Sequence, residues 1–371
     1  MSAPLGIAVL GTAFMGRAHS SAWRNVGAVF PDTPATAMRV LCGSDPGRTE
    51  AAARSLGWQE AATDWREVIA RDDVQVVDIC TPGHLHAEMA TAALEAGKHV
   101  LVEKPLATSA ADARMMVQAA EARGVTLMVG HTFEYHSAVW SLRDMVREDQ
   151  LGRVYYVHTA RLNLGLYQHD VNVILDLAPH DVSILNYVLG GQPTAVECWA
   201  SRHAHQRLED VAHLRLHYED PDVVANVHVS WLDPCKVRRV TMVGSEKMVV
   251  FDDLAEERVR VHDKGVAQIE TDGDLTKAPM TYRYGDVVAP YLVVNEPLAL
   301  EDEHFVDCAL TGMRPTTDGR NGLAVVEVLE AAQMSSRLRR AVQLSELRDP
   351  VAPPVVPVPR QSVPAPVERA S

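Results

Sequence analysis

The chain has 371 residues, 47% hydrophobic and 23% charged, with a formal net charge of −14. At roughly 100–200 residues per domain this length has room for two domains, and the mixture is that of an ordinary soluble globular protein. Dispersed Lys and Arg under an acidic balance argue against a nucleic-acid or membrane surface, and no apolar run approaches the roughly 18 residues of a bilayer span.

Leu5 to Leu10, LGIAVL, is a short apolar run that predicts a strand, so the chain opens on structure rather than on a signal peptide. Gly11 to Gly16, GTAFMG, follows, with a helical stretch to about Val26. Strand, tight turn and helix are the setting of a dinucleotide fingerprint. Gly11 supplies the turn, Gly16 the close helix–strand packing, and the helix N-terminus an anion site. Ala13 stands where the middle glycine belongs and is tolerable if its φ is negative; an ordinary βα turn is the competing reading. The second strand, Met38 to Gly43, runs into Ser44-Asp45. An acid there accepts hydrogen bonds from ribose hydroxyls and repels a 2′-phosphate, which favours NAD over NADP. Arg48, three residues on, suits a phosphate and keeps NADP open. Asp45 is equally placed to cap the helix Gly47 to Leu56.

Val74 to Cys80 is the next predicted strand, closed by Thr81-Pro82 before a helix from His84 to Ala96. His84 and His86 form an HxH without further ligands at suitable spacing, so no metal site is expected; a ring beside the nicotinamide ribose is the preferred role. In the stretch His99 to Leu106, HVLVEKPL, HVLV reads as a short buried strand that runs out at Glu103-Lys104, and Pro105 forbids its continuation. In an open parallel sheet the ligand crevice lies at the strands' carboxyl ends, so Lys104 is placed for proton chemistry. A surface lysine paired with Glu103 is the plainer alternative. A helix from about Ser109 to Ala122 and a strand from Val125 to Val129, closed by Gly130-His131, complete an alternation that signals a doubly wound sheet.

After a helix around Ser137 to Glu148 the pattern changes. Val154 to Leu164 is strand-like, and Val171 to Leu189 reads as a helix stopped by Gly190-Gly191, with a kink or a late start at Pro179. Asp176 and His180 are four apart and share a face of a continuous helix. A buried carboxylate beside an imidazole sets a tautomer and raises basicity, whereas a structural cap and a core histidine would look the same in sequence. From Thr194 the period becomes two: Ala212, Leu214, Leu216, Tyr218 and then Val223, Ala225, Val227, Val229, Trp231 alternate with polar neighbours. Lys236 to Gly244 and Met248 to Asp252 continue the series. Such runs predict an antiparallel sheet with the Val171 helix on one face and a subunit interface on the other. Glu301 to Leu310 and Gly322 to Leu338 read as helices packing back between the domains, and Pro350 to Ser371 as a disordered tail. The domain limits that follow are 1–133, 134–345 and 350–371. Five scattered cysteines without a CxxC pair suit free thiols in a reducing, cytoplasmic setting.

Taken together, VLGTAFMGRAHS (Val9 to Ser20), CTPGHLHAEMATAALEAGKHVLVEKPLA (Cys80 to Ala107) and DLAPHD (Asp176 to Asp181) resemble the Gfo/Idh/MocA oxidoreductases, the glucose–fructose oxidoreductase and inositol dehydrogenase family. The likeness runs from about residue 5 to 345 and includes YRYGD (Tyr282 to Asp286) and TDGRNGLAVVEVLEAA (Thr317 to Ala332). It implies an α/β Rossmann domain followed by an α+β domain with a mainly antiparallel open sheet, binding NAD and acting on a sugar. It also implies a catalytic set of Lys104, Asp176 and His180, with His180 as acid or base, Asp176 orienting its ring and Lys104 on the reacting oxygen. Candidate cofactor contacts are Gly11, Ala13, Phe14, Met15, Gly16, Asp45, Thr81, Pro82, His84, His86, Glu103, Lys104 and His131. Arg161, Asn163 and Tyr167 join the catalytic trio as candidate substrate contacts, with Lys236 and Arg238 nearby. The run Arg161 to Leu185 resembles the subgroup acting at the 3-hydroxyl of nucleotide-linked amino sugars; an inositol or free-sugar dehydrogenase, a ketosugar reductase and a non-catalytic sensor remain as alternatives. Gly83 departs from the family's usual asparagine after Thr-Pro. A homodimer or homotetramer is the expected assembly.

Overall fold

The computed structural model describes residues 3–165, 170–219, 222–268, 280–293 and 296–348. The first sheet is built from β1 (Leu5–Leu10), β2 (Thr36–Cys42), β3 (Glu60–Ala62), β4 (Val76–Ile79), β5 (His99–Glu103) and β6 (Leu127–Gly130). Between them lie α1 (Phe14–Val29), α2 (Pro46–Leu56), α3 (Trp65–Ile69), α4 (His86–Glu95) and α5 (Ala110–Arg123). The six strands are parallel in the order β3-β2-β1-β4-β5-β6. This order reverses between β1 and β4, where a doubly wound sheet opens its ligand crevice. β1, β4 and β6 are buried along their whole length, as strands covered by helices on both faces must be. The short pair β3 and α3 escaped the sequence reading. Glu-Ala-Ala has no strand signature, and α3 owes its start to Asp64, whose side chain accepts from the Arg66 N–H.

The second sheet follows α6 (Ser137–Arg147). It comprises β7 (Val154–Leu164), β8 (Ala195–Ser201), β9 (Val211–Tyr218), β10 (Val223–Ser230), β11 (Leu232–Gly244), β12 (Met248–Asp252) and β13 (Val259–His262), with short β16 (Val287–Val288) and β17 (Val342–Gln343) at its edges. A separate hairpin joins β14 (Gly265–Gln268) and β15 (Met280–Arg283). Of the pairings in the nine-stranded sheet only β7–β10 is parallel. Ala212, Leu214, Leu216, Ala225, Val227 and Val229 all point inward and are buried, as the period of two requires. They pack under α7 (Val173–Leu189) and α9 (Gly319–Leu338). His213, Arg215 and Trp199 lie on the other face.

α7 runs unbroken through Pro179 instead of starting there, capped at Asn172, whose side chain accepts from the Leu175 N–H. Pro179 still removes one N–H, the one that would reach the Leu175 carbonyl. α8 (Pro297–Thr311) packs beside α1, with Phe305 edge-on to Trp23. α9 ties the two halves together: Val326 enters the core of the parallel sheet, while Val325, Val328 and Leu329 enter that of the second. A short α10 (Ser345–Arg348) follows β17. Tyr167 and the Pro350 to Ser371 tail lie outside the described residues.

Candidate active site

β1 delivers Gly11 to the crevice with φ +118, and a Cβ there would come within 2.5 Å of the Cys80 carbonyl oxygen. Only glycine adopts that turn without strain at this approach. Gly16, one turn into α1, sits so close that its Cβ would meet the Gly11 carbonyl oxygen at 2.0 Å. Ala13 has φ −77, so its methyl group is compatible with the turn, and it gives α1 no side-chain cap. The first N–H groups of α1 therefore face outward unsatisfied, the condition for holding a pyrophosphate. A cavity of about 780 Å³ opens in front of them, lined by Thr12, Ala13, exposed Phe14, Arg17, Ser44, Asp45 and Arg48. Met15 instead turns its side chain partly into the core. Asp45 caps α2 through the Arg48 N–H at 2.7 Å, and its other oxygen lies 3.5 Å from the Arg48 guanidinium. Both sequence roles meet in one residue: a helix cap whose carboxylate borders the cavity. These groups fit the adenosine and pyrophosphate of NAD.

Deeper in the crevice, β5 ends at Glu103 and puts Lys104 against α7. Lys104 Nζ donates to the Asp176 carbonyl at 2.9 Å and lies 3.6 Å from the Asp176 carboxylate. That carboxylate also accepts from Trp231 Nε1 at 3.0 Å. Among the described residues its contacts thus run to Lys104 and Trp231, and the expected contact with the His180 ring is not made. Although the two residues lie four apart on α7, the lysine and indole claim the acid. The His180 ring stands edge-on to Phe133 at 5.3 Å. Burial, then the charges of Lys104 and Arg161, hold its pKa well below the usual histidine value, so the ring is neutral at pH 7. His131, just after β6, is buried with no hydrogen-bond partner on either ring nitrogen among the described residues, and burial pushes it down to about 4. A neutral imidazole, an ammonium and an orphaned imidazole converge here, with donors and acceptors to spare.

Other candidates take structural posts. The His86 ring nitrogens lie 2.9 Å from the Pro105 carbonyl and 2.8 Å from the Thr81 carbonyl, so His86 fastens the loop after β4 to the one after β5 instead of facing a ribose. Thr81 turns its hydroxyl to Met89, beside Pro82. His84 is exposed and meets Asp170 at 3.3 Å. Arg161 is committed to a buried pair with Asp181 at 2.7 Å, under the Phe133 ring at 4.7 Å, because an arginine on the inward face of β7 has no water to turn to. Arg238 reaches Asp253 at 3.3 Å, and Lys236 is exposed. Asn163 is half-buried on β7.

Three residues of the site went unnoticed in the sequence. His19 of α1 is buried between Asp78 of β4, at 2.8 Å, and Glu103, at 3.0 Å. Trp231 lies 55 positions from the acid it holds. GRAHS places His19 one turn beyond Gly16, on the helix face that meets the sheet, which is the only local signal for it.

The family model described as "Oxidoreductase family, NAD-binding Rossmann fold" matches residues 5–131, and the GFO/IDH/MocA C-terminal domain matches residues 139–250. Levoglucosan dehydrogenase of Pseudarthrobacter phenanthrenivorans is 38% identical over 151 residues, 40% of this chain and 39% of that protein. D-apiose dehydrogenase of Paraburkholderia graminis is 26% identical over 355 residues, 92% of this chain and 90% of its own. Among solved structures, an oxidoreductase domain protein from Kribbella flavida superposes with a TM-score of 0.79 at 28% identity, covering 92% of this chain and all of its own.

Proposed function

As the chain belongs to the Gfo/Idh/MocA oxidoreductases, whose Rossmann domain binds NAD, we propose that it interconverts a secondary alcohol and a ketone on a sugar. The observation that carries this reading is Lys104 Nζ set 2.9 Å from the Asp176 carbonyl at the mouth of the parallel sheet, with neutral His180 beside it. NAD supplies the hydride acceptor when bound. His180 accepts the carbinol proton in oxidation and returns it in reduction, and its neutral state at pH 7 suits the first of these tasks. Lys104 donates to the reacting oxygen and stabilises alkoxide charge as it develops. Asp176, gripped by Trp231, fixes the height of the ammonium rather than the tautomer of the imidazole.

The sugar is read as a compact one, in line with the names of the levoglucosan and D-apiose relatives. The pairing of Arg161 with Asp181 and of Arg238 with Asp253 speaks against these arginines as diphosphate ligands. Oxidation at the 3-position of a nucleotide-linked amino sugar is the second reading. The outer face of the nine-stranded sheet, with Tyr156 and Trp199 about half exposed, serves as the contact between copies in a homodimer or homotetramer. No helix among the described residues is long and apolar enough to cross a membrane.

The test is NADH formation by purified protein over a panel of anhydro and free sugars, inositols and nucleotide sugars, with NAD and with NADP. A sugar signal with NAD that Lys104→Met abolishes supports the proposal. Signal confined to nucleotide sugars moves the substrate to the second reading. No redox turnover of any sugar in either direction, with NAD bound, overturns it.

A further inference from the structure

Behind Lys104 runs a chain of buried side chains that the reaction does not touch. Trp23 Nε1 donates to Asp78 Oδ2 at 2.7 Å, and the same oxygen meets His19 Nδ1 at 2.8 Å. His19 Nε2 lies 3.0 Å from Glu103 Oε1, while Glu103 Oε2 accepts the Lys104 backbone N–H at 3.0 Å. His19 and Asp78 are fully buried and Glu103 nearly so. Two carboxylates can both be satisfied by one imidazole only if both ring nitrogens donate. We propose that His19 is a positioning residue for the reaction: as a doubly donating imidazolium it clamps Glu103, and Glu103 in turn fixes the strand end from which Lys104 projects. This rests on Lys104 acting in the reaction as described above.

The surroundings agree. Burial works to lower the His19 pKa, but the Asp78 charge, with Cys80 beside it, carries it well above the ordinary value. Burial works to raise Glu103, and the His19 bond and charge, with Lys104, more than reverse that. The other acids facing His19 are Glu301, pushed up to about 8 by burial and so largely neutral at pH 7, and Asp302, which burial also pushes well above the usual carboxylate range. Asp78 and Glu103 are left as the carboxylates that need it. A plain core histidine would need one partner; this one spans α1, β4 and β5 and ends on the peptide of the reacting lysine. A shift of about an ångström at such a group costs on the order of 10²-fold in rate.

The experiment measures kcat, KM and the pH profile of kcat for His19→Gln, Glu103→Gln and the double variant, each normalised to NAD-binding sites titrated on the same sample. His19→Gln leaves Glu103 without its cation. The account therefore expects a kcat lower by about 10²-fold, little change in sugar KM, and a new acid limb as Glu103 takes up a proton. That limb is absent in Glu103→Gln, and the double variant is no slower than the slower single one, because the two residues act as a unit. Should His19→Gln fail to fold, Asp78→Asn removes the charge that holds the proton on His19 and is expected to give a smaller fall in kcat that deepens as pH rises, because the imidazolium that clamps Glu103 is lost there. A per-site kcat within about threefold of wild type, or losses that multiply in the double variant, overturns the assignment. Lys104→Met is run alongside: full activity there refutes the role of the lysine itself, and a loss there with His19→Gln unaffected refutes only the clamp.

Discussion

Replacing Arg161 by methionine separates structure from substrate binding in one position. Arg161 and Asp181 are 6% and 2% exposed in their side chains, so the substitution leaves Asp181 a buried charge without its partner. Removing one member of a buried pair costs about 3–5 kcal/mol, and the lost cation–π contact with Phe133 adds to this. At about 2–4 °C per kcal/mol for a domain of 150–250 residues, the apparent Tm falls by about 6–20 °C. Changing both partners, Arg161→Met with Asp181→Leu, removes the orphan and recovers most of the loss. Thermal unfolding read by fluorescence, with and without NAD, measures the first effect, and steady-state kinetics on the stable double variant measures the second. A residue that only holds α7 to β7 leaves sugar KM close to wild type, whereas a substrate ligand raises KM at unchanged kcat. Because the Arg161 charge helps to lower the His180 pKa, its removal also moves the acid limb of oxidation upward in pH. An unchanged Tm in Arg161→Met together with a KM raised tenfold or more refutes the reasoning.

Lys104→Met is expected to lower kcat by about 10²–10⁴-fold with NAD affinity retained, as measured by fluorescence titration. The His180 pKa lies below 6.5, and protonation removes the base, so oxidation holds its rate down to pH 6.5 and declines only below it; His180→Gln abolishes that limb. Gly11→Ala combines positive φ with a Cβ 2.5 Å from the Cys80 carbonyl, and is expected to cost about 1–3 kcal/mol and to weaken NAD binding in calorimetry. Asp45→Ala removes the α2 cap, lowering stability by about 1 kcal/mol, and is expected to narrow the preference for NAD over NADP.

How much of this was legible follows the distance over which each signal acts. Strands such as Leu5–Leu10 and Val154–Leu164 announce themselves by local apolar pattern, and Ala212 to Trp231 by strict alternation. The place of Lys104 at the mouth of the sheet is legible because Pro105 marks a strand end, which is a local fact about the backbone. Contacts that close between distant segments were not legible: His19 to Glu103 spans 84 positions, and nothing in GRAHS names its partners. His86 shows the opposite failure, since HxH beside a strand end suggests a ligand contact while the ring is spent on two carbonyls. Asp176 shared the right face with His180 only as a helical projection; Trp231 and Lys104 decided where its carboxylate went. The apolar run Val171 to Leu189 predicts a helix despite Pro179 and leaves open a kink or a late start there; buried packing on both sides carries α7 through the proline.

The most direct test of hydride transfer at Lys104 and His180 is label transfer from a sugar deuterated at the reacting carbinol carbon, read as the mass of the reduced cofactor. Deuterium on the NADH formed, lost together with turnover in Lys104→Met, is the predicted result. Sugar consumption that leaves NAD unreduced, or NADH without the label, contradicts the account.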